Sequence, residues 1–326
     1  MKAMLLAAGY GRRMQPLTEL RAKPVLPVFN RPLLHWTLLH LAQAGVRDVV
    51  INVHHLASGV RAAVGDGREF GLRVHFSRED HILGTGGGPR RARHLLGDGP
   101  VLLVNGDILF DLDLAALLSR HRRSGAVATL ALRPNPDPVR YPPVVTAAGG
   151  RVLSIGQSGA PGHGRLQSLF AGVHVLETAL LERLPPGVSD SVQDLYRPLL
   201  AEGAKLVGLR PRGAWYDLGH PAEYRAVQAT LAARGRWRSR AVHGEARVDP
   251  EARVRRSVVG AGCVIGPGAR VSGSVLWEGV NVGSRAQVTD SVLTSGVRVA
   301  PGTVLESSIL MPERSPLALD GSERRR

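Results

Sequence analysis

A glycine turn, two cations and two aspartates far apart in the chain are the residues whose types and placing could do chemistry. The apolar run Ala3-Met4-Leu5-Leu6-Ala7-Ala8 breaks into Gly9-Tyr10-Gly11-Arg12-Arg13-Met14-Gln15-Pro16-Leu17-Thr18. Small residues at such a point let backbone N–H groups approach phosphate oxygens, and α/β sheets bind ligands at strand ends of this kind. The turn is not a Walker loop, because the Gly-Lys-Ser/Thr ending is missing. Nor is it a dinucleotide fingerprint, because Met14 stands where the third glycine belongs. Arg13 and Lys23 add two fixed cations to the same strand-end loop, which together with backbone donors makes a triphosphate cradle. Only three lysines occur, Lys2, Lys23 and Lys205, so nearly all the positive charge is arginine and a retained lysine carries information. Asp107 closes the buried run Val101-Leu102-Leu103-Val104-Asn105-Gly106, which sets a carboxylate at a strand's carboxyl end. Asp217 lies far downstream in Trp215-Tyr216-Asp217-Leu218-Gly219.

The segment from Met4 through Arg13 and Thr18 to Lys23-Pro24-Val25-Leu26-Pro27-Val28 closely resembles the signature of the sugar-1-phosphate nucleotidylyltransferase family. That resemblance implies an enzyme that joins a nucleoside triphosphate to a sugar 1-phosphate and releases pyrophosphate, with Arg13 and Lys23 as catalytic cations on the triphosphate. Asp107 and Asp217 resemble the family's magnesium aspartates, in its Asn-Gly-Asp and Trp-x-Asp-x-Gly motifs. Mg²⁺ usually takes one or two carboxylates plus phosphate oxygens and water, so two aspartates suffice. Either one alone would read as a helix cap or turn residue.

The same resemblance places Leu6, Ala8, Gly9, Gly11, Glu79, Gly84 and Thr85 along the nucleotide, and Tyr141 and Gly172 along the sugar. Leu83-Gly84-Thr85-Gly86-Gly87-Gly88 opens a helix whose N–H groups and threonine hydroxyl are expected to face the nucleotide. Some uridylyl and thymidylyl relatives carry a Gln just before this point, where Glu79-Asp80-His81 stands here. A carboxylate there can accept from guanine's ring N–H and amino group, which leans to GTP; an acid that only ties its loop is the other reading.

The implied reaction is attack by a sugar-phosphate oxygen on the α-phosphorus, with pyrophosphate leaving in line. A phosphate monoester has its second pKa at about 6, so the nucleophile is already ionised and needs no general base. Positioning and charge neutralisation supply the acceleration. The sugar side departs from the family. Ser154-Ile155-Gly156-Gln157-Ser158 stands where many relatives have Glu-Lys-Pro, so a lysine for the sugar phosphate is missing, and Arg165, Lys205, Arg210 or Arg212 are the candidates to replace it. Tyr141-Pro142-Pro143-Val144 also differs from the usual Tyr-Gly-Val-Val. Asp111, Asp113, His54 and His55 read as structural.

The elements that must hold these residues come in two periodicities. Up to about residue 232, short apolar runs alternate with amphipathic helical patterns, the mark of an α/β fold with a Rossmann-like, mostly parallel sheet and flanking helices. Strands are expected at Ala3 to Ala8, Asp48 to Val53, Leu72 to Phe76, Val101 to Asn105, Ala126 to Leu132 and Ser168 to Val175. Helices are expected at Leu33 to Ala44, Val60 to Gly65, Gly88 to Leu96 and Leu114 to Arg123, the last capped by Asp113 or Asp111.

Beyond that the chain repeats every 17 residues: Val248 and Val254, Ile265 and Val271, Val282 and Val288, Val299 and Leu305, with Ser257, Ser274, Ser291 and Ser308 and with Gly262, Gly279 and Gly296 in step. Each serine precedes two aliphatic residues. Three short faces with an inward aliphatic on each explain this as a parallel β-helix, and the region resembles the left-handed hexapeptide-repeat family. The expected domains are a catalytic domain over 1–235, a basic linker over 236–244, a short left-handed β-helix of about four coils over 245–312 and a polar tail over 313–326.

The net charge of +15 is scattered along the chain, and no basic helix face carries interleaved aromatics, so phosphate-rich small substrates account for it better than nucleic acid does. The single cysteine, Cys263, rules out an intrachain disulfide framework. No run approaches the roughly 18 apolar residues of a membrane span, so no membrane partner is expected and a cytoplasmic enzyme is the simplest reading.

Catalytic domain plus short β-helix resembles mannose-1-phosphate guanylyltransferases. The Gly-Thr-Gly-Gly-Gly loop also resembles muramate-phosphate uridylyltransferases and heptose-phosphate guanylyltransferases. Mannose 1-phosphate and GTP lead, with uridylyl or thymidylyl transfer to another sugar 1-phosphate as the alternative. A non-catalytic nucleotide-sugar-binding regulatory subunit is the reading from a different class. No histidine follows His243 to serve as an acyltransferase base, so the β-helix is assigned to assembly, with a homo-oligomer expected.

Overall fold

The computed structural model describes residues 1–156 and 166–312; Gln157, Ser158, Arg165 and the tail over 313–326 lie outside the described residues. Two compact units are present, one of Met1–Leu26 with Arg31–Gly219, the other of Pro27–Asn30 with the residues from His220 onward. No helix among the described residues is long and apolar enough to cross a membrane.

The first unit is built on strands β1 (Lys2–Leu6), β2 (Asp48–Val53), β3 (Arg73–Arg78), β4 (Pro100–Asn105), β5 (Ile108–Phe110), β6 (Ala128–Pro134), β7 (Val144–Thr146), β8 (Val152–Ile155), β9 (Leu166–Glu177), β10 (Leu206–Leu209) and β11 (Trp215–Asp217). The main sheet runs β8-β7-β9-β4-β1-β2-β3, with β6 on β9 and β10 on β6, while β5 and β11 form a separate antiparallel pair. The four strands β4, β1, β2 and β3 are mutually parallel, and the long β9 enters antiparallel to β4.

The near-continuous apolar runs of β1, β2 and β4 follow from burial on both faces. Ala3 and Leu5 pack in one core cluster and Met4 in another; Val49 and Ile51 face Val50 across the sheet in the same way, and Leu102 and Val104 face Val101 and Leu103. Strand geometry sends successive side chains to opposite sides, so both must be apolar where helices cover both.

Helices α1 (Leu33–Gln43), α2 (Ala57–Val64), α3 (Gly84–Arg91) and α4 (Leu114–Ser124) fill the expected places. The side chain of Asp113 caps α4 by accepting from Ala116 N at 2.8 Å, so Asp113 rather than Asp111 is the cap. The helix expected from Gly88 begins earlier, at Gly84, and a break at Ala92 separates it from the short turn Arg93–Leu96.

In the second unit, helix α5 (Pro221–Leu231) precedes a three-sided stack of parallel strands. Three rows of four strands each pair at the 17-residue step, for example Val248 with Ile265 and Val254 with Val271. The repeated serines form a ladder through the stack: Ser274 N donates to Ser257 Oγ at 3.1 Å, Ser291 N to Ser274 Oγ at 3.0 Å, and Ser308 N to Ser291 Oγ at 3.1 Å. The repeated glycines Gly262, Gly279 and Gly296 sit at corners with φ of 64°, 70° and 74°, a conformation that costs glycine nothing. Within residues 236–244, expected as a linker, Trp237 packs on Phe29 at 4.6 Å between ring centroids and Ala241 is buried. Trp277 Nε1 donates to Tyr224 on α5 at 3.1 Å, and the Tyr224 hydroxyl donates to Pro27 O.

Candidate active site

Parallel register brings Leu6, Asn52 and Asn105 level at the carboxyl ends of β1, β2 and β4. A cavity of about 350 Å³ opens there, lined by Leu6, Ala8, Gly9, Gly11, Arg13, Lys23, Glu79, Gly84, Thr85 and Asp107 of the expected site. Gly106, between Asn105 and Asp107, has its N–H on Leu6 O at 3.0 Å, and a Cβ there would lie 2.6 Å from that oxygen. Only glycine lets β1 and β4 end this close together.

The two loop glycines differ in cause. Gly11 has φ +63°, and a Cβ on it would lie 2.9 Å from Thr18, so the turn itself demands glycine. Gly9 has no protein atom within 4 Å of an added Cβ, and its φ is not left-handed. Packing gives no reason for glycine there. Tyr10 beside it meets His54 edge-on and His55 at a tilt, each at 5.5 Å, while His54 Nδ1 lies 2.9 Å from Glu79 O and His55 Nε2 3.2 Å from Thr18 O. Both histidines brace the loop.

Lys23 Nζ lies 2.9 Å from Asp107 Oδ2, with side-chain exposures of 9% and 35%. The chain thereby fixes a cation and a carboxylate side by side on the cavity wall. Arg13 is exposed and makes no hydrogen bond or ion pair among the described residues.

The glycine-rich helix start differs from expectation. Thr85 Oγ1 donates to Asp190 Oδ2 at 3.0 Å and accepts from Ser191 N at 2.9 Å, so its hydroxyl is committed to protein. Gly86 N and Gly87 N donate to Ser189 O at 2.9 and 3.4 Å. A Cβ on Gly84 would lie 2.5 Å from Ser189 O, one on Gly87 2.1 Å from Gly187 O, and one on Gly88 2.7 Å from Glu79 Oε1. Gly84, Gly86 and Gly87 are there because the segment over 187–191 packs directly on this turn, and Gly88 because Asn52 and Glu79 do.

Glu79, 2% exposed, accepts from Asn52 Nδ2 at 2.6 Å through Oε1 and from Leu83 N at 2.9 Å through Oε2; Asn52 Oδ1 accepts from Ala7 N at 2.7 Å. Of the two readings of this acid, the geometry displays the tie. Asn52, which also lines the cavity, escaped sequence reasoning, and its signal was a polar residue interrupting Val49-Val50-Ile51-Asn52-Val53.

Tyr141, Gly172 and Asp217 do not line this cavity; Tyr141 and Asp217 share a neighbouring cluster. Asp217 pairs with Ile108, next to Asp107 in the chain, and its Oδ2 accepts from Arg140 and from the Tyr141 hydroxyl, both at 2.9 Å. Tyr141 meets Trp215 edge-on at 6.3 Å, and Trp215 Nε1 donates to Ala171 O at 2.8 Å. Gly172, φ +71°, lies where the β9 register shifts, and a Cβ there would lie 2.6 Å from the Asn105 amide, so this glycine leaves room for a cavity-lining side chain.

Of the proposed substitutes for the missing lysine, Lys205 Nζ donates to Ser124 O at 2.7 Å and Arg210 to Ser168 Oγ at 2.8 Å, Arg212 offers its carbonyl to Asp113 N, and Arg165 lies outside the described residues. The donor set suits a small hard cation. Lys23 and Arg140 each engage Oδ2, neither Asp107 Oδ1 nor Asp217 Oδ1 has a partner among the described residues, and no cluster of three or more His, Cys, Asp or Glu is found among them. Two carboxylates completed by phosphate and water is a Mg²⁺ arrangement rather than an all-protein cage.

Residues 2–234 match the model of the nucleotidyl transferase family. The chain belongs to that family. A second match, over residues 237–314, is to the GlmU-like, C-terminal hexapeptide family. This nucleotidyl transferase is 33% identical over 272 residues to mannose-1-phosphate guanylyltransferase of Mycobacterium tuberculosis, covering 80% of this chain and 75% of that one. It is 32% identical over 243 residues to N-acetylmuramate alpha-1-phosphate uridylyltransferase of Neisseria meningitidis serogroup B, covering 73% of this chain and all of that one. The crystal structure of HddC from Yersinia pseudotuberculosis complexed with GMP-PN shares the fold, with a TM-score of 0.58 at 20% identity, over 68% of this chain and 96% of that one. The nucleotidyl transferase is therefore an enzyme of the sugar-1-phosphate type, in a family that generally depends on a divalent metal.

Proposed function

We propose that this nucleotidyl transferase makes GDP-mannose and pyrophosphate from GTP and mannose 1-phosphate with Mg²⁺. The observation that carries the choice is the extent of similarity to the mannose-1-phosphate guanylyltransferase, whose 272 aligned residues exceed what the transferase region holds and so run on toward the β-helix. Glu79 lends the base choice little, because both its oxygens already accept protein N–H groups. A second reading, UTP with N-acetylmuramate 1-phosphate, draws on the 32% identity that spans the whole of that relative.

In the proposed reaction Arg13 and Lys23 hold the β- and γ-phosphates and neutralise the charge that grows on departing pyrophosphate. Backbone N–H groups around Gly9 approach the same oxygens. Asp107 and Asp217 would hold Mg²⁺, which when bound offsets phosphate charge at the reacting phosphorus. Tyr141 and Trp215 form an apolar wall suited to a sugar face. The β-helix assembles copies of the chain into a homo-oligomer, which light scattering on the intact protein measures; a monomer at working concentration would count against it.

Purified protein with Mg²⁺, each of four NTPs and a panel of sugar 1-phosphates, assayed for pyrophosphate, tests the proposal. GTP with mannose 1-phosphate is expected to give the highest kcat/KM. A tenfold preference for UTP with N-acetylmuramate 1-phosphate would replace it with the second reading, and no release from any pair would leave the regulatory-subunit reading.

A further inference from the structure

The acceptor side lacks the family's lysine; of its three described substitutes, Lys205 and Arg210 are tied to carbonyls and a hydroxyl, and Arg212 is exposed with no side-chain bond among the described residues. Arg140 stands elsewhere. Its guanidinium donates to Asp217 Oδ2 at 2.9 Å and lies 4.8 Å from the centroid of the Tyr141 ring, inside the cluster that Trp215 and Ala171 complete. A tight turn holds its backbone: Asp137 Oδ1 accepts from Val139 N and Arg140 N, both at 3.1 Å, Tyr141 N donates to Asp137 O at 2.9 Å, and Asn135 Nδ2 donates to Tyr141 O at 2.8 Å.

A guanidinium keeps its proton at any working pH. Bound through Oδ2 to the carboxylate expected to serve a divalent cation, it leaves Oδ1 open but opposes that cation by like-charge repulsion. Each cation therefore weakens the other's hold on Asp217. The geometry points to Arg140 as a shared cation: it neutralises Asp217 in the metal-free protein and, once Asp217 is committed to the divalent ion, turns its fork onto the phosphate of the sugar 1-phosphate. Planar N–H pairs match phosphate oxygens bidentately, which a lysine does not do, so this arginine is a sound replacement for the missing residue. The inference rests on the nucleotidyl-transfer reading for its acceptor half only.

The test compares wild type, Arg140→Gln, Arg140→Lys and Asp217→Asn as whole proteins. Mn²⁺ is titrated by electron paramagnetic resonance without nucleotide or sugar, and mannose 1-phosphate is then titrated calorimetrically with Mn²⁺ present. Arg140→Gln is expected to bind Mn²⁺ roughly tenfold more tightly and mannose 1-phosphate roughly tenfold more weakly, in line with loss of one charge-assisted contact. Arg140→Lys should fall between, and Asp217→Asn should weaken Mn²⁺ binding. Unchanged or weaker Mn²⁺ binding by Arg140→Gln overturns the competition for Asp217. Tighter Mn²⁺ with unchanged sugar-phosphate affinity overturns the transfer to phosphate. Failure of the wild type to bind mannose 1-phosphate would strike the proposed acceptor and leave the Mn²⁺ result standing on its own.

Discussion

Replacing Glu79 separates two accounts of this part of the cavity wall. Its carboxylate is buried and accepts from Asn52 Nδ2 and Leu83 N, and Asn52 in turn accepts from Ala7 N next to the phosphate loop. Glu79→Ala leaves two buried donors without a partner. Each orphaned donor costs about 1–3 kcal/mol, so a loss of roughly 2–6 kcal/mol is expected. At about 2–4 °C per kcal/mol for a domain of this size, the melting temperature of the transferase unit falls on the order of 10 °C. Glu79→Gln keeps one acceptor oxygen but turns an NH₂ toward the other donor, so it should lose part of that stability. Because the tie supports the phosphate loop for any nucleotide, GTP and UTP should weaken together in both variants. Calorimetry or urea unfolding with parallel nucleotide titrations measures this. An unchanged melting temperature combined with a tenfold change in the GTP to UTP ratio would refute the tie and reinstate Glu79 as a guanine reader.

Gly9→Ala places its Cβ in open space, so stability should stay within about 0.5 kcal/mol while the KM for NTP rises tenfold or more; a normal KM would remove Gly9 from the phosphate site. Ser274→Ala removes the acceptor of Ser291 N and the donor to Ser272 O, and should cost the β-helix about 1–3 kcal/mol in urea unfolding, with no cost if the ladder is idle. His174, bonded to the Tyr196 hydroxyl at 2.7 Å, is pushed by burial from 6.5 down to about 3. Below pH 6.5 the unfolded imidazole takes up a proton that the folded one refuses. Stability is thus full above 6.5 and falls by up to about 1.4 kcal/mol per pH unit as the pH drops toward 3. His174→Gln should flatten that slope in denaturant titrations at several pH values, and an identical slope would exclude this group as its source.

The parts of the fold that carry a period were legible in the sequence. Burial on both faces wrote β1, β2 and β4 as near-continuous apolar runs, and the β-helix wrote itself as a step of 17 residues. The short β7, β8, β10 and β11 went unseen because strands of three or four residues, held by neighbours distant in sequence, carry no readable alternation. At the site, Lys23 and Asp107 were identified individually, but not the 2.9 Å pair between them, which depends on how β1 and β4 end together. The reading of the glycine cluster at Gly84 missed its packing on the chain at 187–191, more than a hundred residues away. Arg140 was invisible for a related reason: nothing near it in sequence shows that it meets Asp217.

The claim at the centre is that Lys23 and Asp107, paired on the wall of one cavity, belong to machinery that transfers a nucleotidyl group to a sugar 1-phosphate. Its most direct measurement is pyrophosphate release by wild type, Lys23→Met and Asp107→Asn with the best NTP and sugar 1-phosphate pair, with folding of each variant checked by circular dichroism. Release that requires both substrates and falls about 100-fold or more in each folded variant is the predicted result. Undiminished release by either variant, or none from the wild type with any pair, would contradict the account.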